Sequence, residues 1–188
     1  MLYHVSSQKG LKVLKPHVSS HKKPYVYAIE NMVTGMLFGA KKDDFDFLLF
    51  HSENNIPTIY ECYPDAFQKK YQNASCSVYI LEETGFQRGI TSWEPELVSE
   101  NEVSVVEEIA IDDLYQRLLQ EEQNNNLIIH RYEFTDEYRK TIANHIVNQI
   151  ILFDLDLETL LKQDIRFSTY YKDISRSLLE VLDGHLLQ

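Results

Sequence analysis

The chain has 188 residues, 44% of them hydrophobic and 12% aromatic, and a formal net charge of −11. This length fits one domain, or one domain with a helical appendage, and the apolar content suffices for a core. The acidic balance argues against general nucleic-acid binding, no apolar run is long enough to span a membrane, and Met1–Leu14 lacks a signal-peptide-like segment, so a cytoplasmic location is expected.

Leu2-Tyr3-His4-Val5-Ser6 reads as a short opening strand that carries an imidazole. Histidine changes charge near neutral pH and both donates and accepts hydrogen bonds, so it is an odd choice for packing alone. Residues 1–42 hold seven lysines and one acid, Glu30, a local charge of +6 against −17 for the remainder. Such lysines are ordinarily solvated, but a basic patch beside His4 would suit a small anion such as a dinucleotide pyrophosphate. His17 and His21 are four apart in what reads as a loop, where metal ligation is the lesser reading. Tyr25-Val26-Tyr27-Ala28-Ile29 is a second aromatic strand, and Asn31 N-caps a helix reaching to Ala40. Asp43-Asp44-Phe45-Asp46 reads as a solvated face or cap, without the glycine turn of a calcium loop.

Further strands are expected at 46–51, 57–62, 76–82 and 103–111, with two helical turns over 65–71 after Pro64. Cys62 and Cys76 fall in strands and read as buried structural thiols of a reducing compartment. Between the last two strands lies an acidic segment, Trp93-Glu94-Pro95-Glu96-Leu97-Val98-Ser99. Asp112 and Asp113 cap a helix in which Leu114 and Leu118, and Tyr115 and Leu119, recur at i, i+4. The polar run Glu121–Asn126 reads as a linker, followed by apolar Leu127-Ile128-Ile129. From Thr135 the pattern is helical, with Ile142, Ile146, Ile150 and Ile151 on one face. Phe167, Tyr170, Tyr171, Ile174, Leu178, Val181 and Leu182 form another face, and Gly184 is the stop. The acidic run Asp154–Glu158 is again a face or cap. Strands interrupted irregularly by helices indicate an α+β fold. The expected division is an α+β domain over 1–123 and a helical C-terminal extension over 127–188, packed on it or offering an oligomer interface.

No glycine-rich phosphate loop, His-Glu-x-x-His pair or Gly-x-Ser-x-Gly elbow is present. The three segments with chemistry, Leu2–Ser6, Val26–Ile29 and Glu96–Ser99, resemble the ADP-ribosyltransferase superfamily, whose members carry a His, a Tyr and a Glu on separate strands. The likeness is to a small bacterial and phage-type branch that includes the rifamycin-modifying transferases and the tRNA 2′-phosphotransferases. Its first strand looks like Leu-Tyr-His-x-Ser and its second like Val-Tyr-Ala-Thr; Cys76–Leu81 and a Glu-x-Val-Ser segment follow in order, over about residues 1–120.

The resemblance implies a mixed, mostly antiparallel sheet and NAD as substrate, with no metal. It implies that His4 and Ser6 hold the adenosine and pyrophosphate half, the latter with Lys9, Lys12 or Lys15, and that Tyr27 stacks on nicotinamide. Glu96, with Glu94 as its rival, would be the catalytic carboxylate. The acceptor would be a protein, nucleic acid or small molecule. Two departures stand out: Ile29 replaces a hydroxyl residue, and no arginine precedes Arg88, so lysine would bind phosphate without a planar fork. The alternative is a non-catalytic ligand- or protein-binding module of the same fold.

Overall fold

The computed structural model describes residues 1–18, 23–41, 43–52, 54–91 and 93–171. His21 and the expected apolar face from Ile174 to Leu182, with Gly184, lie outside the described residues. In chain order the elements are β1 (Leu2–Ser6), β2 (Val13–Leu14), β3 (His17–Val18), β4 (Pro24–Ile29), α1 (Met32–Met36), β5 (Phe47–His51), β6 (Pro57–Glu61) and α2 (Ala66–Tyr71). There follow β7 (Cys76–Leu81), β8 (Gln87–Arg88), β9 (Glu96–Ser99), β10 (Val103–Ile111), α3 (Leu114–Gln123), β11 (Ile128–His130), α4 (Asp136–Leu152), α5 (Leu157–Gln163) and α6 (Ile165–Thr169). The fold is α+β, and no helix among the described residues is long and apolar enough to cross a membrane.

The chain divides into two compact units, 1–41 with 53–57 and 70–127, and 42–52 with 58–69 and 128–188. The segment after Leu127, with its helices, groups with the stretches 42–52 and 58–69.

In the first unit the strand order is β2-β10-β7-β1-β4-β9-β8, with β3 paired to β4. The strand pairs β1–β4, β1–β7, β2–β10, β7–β10, β3–β4, β4–β9 and β8–β9 are antiparallel. Every residue of β7 is buried, which is why Cys-Ser-Val-Tyr-Ile-Leu reads as one nearly continuous apolar run. One face carries a cluster of Leu2, Leu14, Val26, Ala28, Tyr79, Leu81, Leu97 and Val103. The other is covered by α1, which packs on β1, β4, β7 and α3. Asn31 caps α1 by accepting from the Thr34 N–H at 3.0 Å, and Asp113 caps α3 in the same way. The first half of the expected linker, Glu121 to Gln123, is instead the last turn of α3: Glu121 is buried and accepts from Arg117 and Asn126 at 2.8 and 2.9 Å.

The second unit holds the sheet β11-β6-β5, with β11 parallel to β6, and the helices α4 to α6. Thr135 caps α4, and Ile142, Ile146 and Ile150 are buried while Ile151 is 50% exposed. The face therefore carries three isoleucines, because position 151 lies about 100° around the helix from 150. In the acidic run near residue 45, Asp43 and Asp44 are exposed, but Asp46 is fully buried. Arg166 holds Asp46 at 2.9 Å and Asp164 at 2.6 Å, grips both oxygens of Asp43, and Tyr63 donates to Asp46 at 2.9 Å. Cys62, one residue past β6, is buried as expected, as is Cys76.

Two substitutions probe these cores. A Cβ on Gly39 would stand 2.7 Å from Cys76 Sγ and 3.0 Å from Leu114 Cδ2 and the Met36 carbonyl oxygen. Gly39→Ala should therefore lower unfolding stability by about 1–3 kcal/mol in a urea titration; an unchanged midpoint would show that the turn after α1 yields freely. Arg166→Ala leaves the buried Asp46 without its counter-charge and should cost about 3–5 kcal/mol by the same measurement. A loss under about 1 kcal/mol would class this ion pair with exposed ones.

Candidate functional site

β1 runs beside β7 along its whole length, from Leu2 opposite Leu81 to Ser6 opposite Ser77. On its other side it pairs with β4 through Tyr3 and Ile29. Beyond that pair the His4 ring spans to β4, with Nδ1 2.8 Å from the Tyr27 carbonyl oxygen. A carbonyl only accepts, so Nδ1 carries the proton of the neutral ring and Nε2 is left as an acceptor. Burial holds His4 below the ordinary pKa of 6.5; the bond to Tyr27 works against that shift and His17 adds to it. The imidazole is thus neutral at pH 7.

β4 runs on to β9, with Tyr27 opposite Val98 and Ile29 opposite Glu96. Tyr3, Ile29 and Glu96 therefore share one sheet face with Tyr27, two residues along. His4 belongs by alternation to the opposite face, that of Leu2 and Tyr79. The strand register alone would separate it from the other two.

The cavities show how it meets them. One, of about 150 Å³, is lined by Tyr3, His4, Val5, Tyr27, Ala28, Ile29, Gly35, Phe38, Trp93 and Glu96. A cavity of that size takes a single benzene-like ring. Phe38 and Trp93 pair with ring centroids 5.3 Å apart. Trp93 and Glu96 are set by a tight turn in which the Glu96 N–H donates to the Trp93 carbonyl at 3.0 Å. Glu94, inside that turn, is exposed. The Tyr27 phenol is pushed above its ordinary pKa of 10, first by burial and then by the charge of Glu96.

A second cavity, of about 520 Å³, is lined by His4, Ser6, Gln8, Leu11, Val13, Leu14, Lys15, His17 and Val26. His4 lines both cavities. His17 also stands edge-on to Tyr27, with centroids 6.0 Å apart. Of the three lysines weighed for an anion, Lys15 lines this cavity, and it pairs with Glu102 at 3.3 Å. Lys9 pairs instead with Asp112 at 2.8 Å. Tyr3, His17 and Trp93 are lining residues that the sequence offered within its motifs but without a role in this site, and Phe38 carried no signal at all. The signal for Trp93 was its place three residues before Glu96, the reach of one turn.

Comparison of the chain with family models, curated proteins and solved structures yields no match.

A histidine-resolved proton NMR titration should place the His4 midpoint below 6.5, the resonance being assigned by its loss in His4→Gln. The folded state then binds this proton less readily than the unfolded chain. The His4 contribution to stability is complete above pH 6.5 and declines as pH falls from 6.5 toward the folded midpoint. A midpoint at or above 6.5 would show that the ring is solvated.

Proposed function

We propose that this protein is an NAD-dependent ADP-ribosyltransferase that cleaves the bond between nicotinamide and ribose and passes ADP-ribose to an acceptor. The observation that carries the reading is the presence of His4, Tyr27 and Glu96 in the lining of one ring-sized cavity, with His4 also lining a larger one.

The nicotinamide of NAD is a flat pyridinium cation. Aromatic faces attract such a cation through their quadrupoles, and Tyr3, Tyr27, Phe38 and Trp93 supply four rings beside the single carboxylate of Glu96. The larger cavity lies within the roughly 300–1,000 Å³ usual for ligand pockets and suits the adenosine and pyrophosphate half. Neutral His4, with Nδ1 committed to Tyr27, offers Nε2 as an acceptor, which suits a ribose hydroxyl and not a phosphate oxygen. Ser6 and Lys15 are the groups suited to the pyrophosphate.

In the proposed reaction the C1′–N bond breaks and its electron pair goes to the ring nitrogen, which leaves as neutral nicotinamide. The positive charge passes to ribose C1′ and its ring oxygen, where the Glu96 carboxylate stabilises it while orienting a ribose hydroxyl. The acceptor's nucleophilic atom then bonds C1′ and releases its proton.

Ile29 favours a second reading, a binding module without chemistry. It is 7% exposed and puts methyl groups where the resembled strand has a hydroxyl.

Glu96→Gln separates the two. It keeps the shape of the cavity and removes the charge, so NAD glycohydrolysis or transfer should fall at least about a hundredfold while the calorimetric NAD affinity is largely kept. Unchanged turnover would remove Glu96 from the mechanism. NAD binding without turnover in the unsubstituted protein would select the module, and no binding at all would reject both uses of NAD.

A further inference from the structure

The loop between β1 and β2 carries Gln8 and Leu11, two of the residues lining the larger cavity. It is held by two side chains from neighbouring strands. Tyr79 of β7, opposite His4, is fully buried. Its hydroxyl lies 2.6 Å from the Gln8 carbonyl oxygen and 3.2 Å from Glu108 Oε1, so its one proton serves either acceptor, and it accepts from the Leu11 N–H at 3.3 Å. Glu108 of β10 accepts the Gly10 N–H on both oxygens, at 3.0 and 3.1 Å, and the Ser77 hydroxyl at 2.7 Å. Gly10 has φ of +77°, which a side chain would resist, and this conformation presents its N–H to the carboxylate. The donors around Glu108, Gly10 N–H foremost, hold its carboxyl below the usual carboxylate range, so it is ionised at neutral pH.

The same Tyr79 ring stands 6.3 Å, centroid to centroid, from the His4 imidazole. One residue therefore touches both the loop and the histidine shared by the two cavities. We infer that Tyr79 and Glu108 are positioning residues that latch the Gln8–Leu11 loop as a wall of the larger cavity, and so set affinity for the half of the ligand that lies there. This inference rests on the transferase reading for the identity of that ligand.

The experiment uses the full chain and two probes of different length, NAD and free nicotinamide. Tyr79→Phe keeps the ring beside His4 and removes the hydroxyl; Glu108→Ala removes the carboxylate. Each should raise the Kd for NAD by about five- to tenfold, the worth of one or two hydrogen bonds, and leave the Kd for nicotinamide within twofold. Glu108→Gln, which keeps one acceptor oxygen for Gly10, should recover part of the loss. Equal weakening of both probes, or no weakening of NAD, overturns the inference; equal weakening with a large fall in melting temperature means the residues are general scaffold. If the unsubstituted protein binds no NAD, the transferase reading fails and takes the ligand assignment with it. The latch is then judged by amide hydrogen exchange. Faster exchange at Gly10 and Leu11 in Tyr79→Phe supports it, and unchanged exchange overturns it.

Discussion

The candidate site depends on how β1 is held: laddered to β7 on one side, joined to β4 on the other through the Tyr3–Ile29 pair, and bridged further along by a side chain. A part-buried carbonyl outside the strand ladder needs a donor, and the His4 Nδ1–H provides it for Tyr27. Few side chains do this well. Lysine or arginine would bring a full charge into a desolvated place. Imidazole donates from one edge while neutral and keeps an acceptor on the other. The identity of residue 4 thus follows from the backbone geometry, and the hydrogen bond that closes the gap also fixes which histidine edge is offered to a ligand.

The regular elements were legible where a local signal exists. The expected strands at 2–6, 25–29, 46–51, 57–62, 76–82 and 103–111 match β1, β4, β5, β6, β7 and β10 to within a residue at either end, because each carries β-branched or aromatic side chains over several positions. Asn31 and Asp113 were readable as caps because the capping bond is made by the named side chain itself. β2, β3 and β8 have two residues each, too few for any periodicity to register. Long-range partners left no trace either. The acidic run at 43–46 could not be told from a solvated face, since its counter-charge, Arg166, lies some 120 residues away. Glu121, in a polar run, passed for linker although it is buried between Arg117 and Asn126.

The site was legible as three short motifs but not as a geometry. Strand alternation would put Glu94 and Glu96 on the same face and leave them indistinguishable. The turn from Trp93 to Glu96 breaks that parity, so that only Glu96 lies on β9 and lines the small cavity. Alternation would likewise part His4 from Tyr27, yet both line the small cavity. Phe38 could not be singled out among the aromatic residues of the chain, because its role comes from standing against Trp93, 55 positions on.

The charges around the two cavities also differ from what composition suggests. The lysine excess of residues 1–42 reads as one anion-attracting patch, yet Lys9 is engaged with Asp112, and Arg88 with Glu30 at 2.5 Å. Lys15 lines the larger cavity and shares itself with Glu102, but both side chains are largely exposed, and such a pair contributes little. A phosphate entering the cavity would displace Glu102 at small cost. What results is a polarised pair of hollows, a carboxylate among aromatic rings in the smaller and an exchangeable ammonium on the larger. That pattern complements a ligand with a cationic ring at one end and anionic groups toward the other. A neutral or uniformly anionic ligand would gain from only one of the two ends, and this is the physical ground on which we propose NAD over a simple nucleotide.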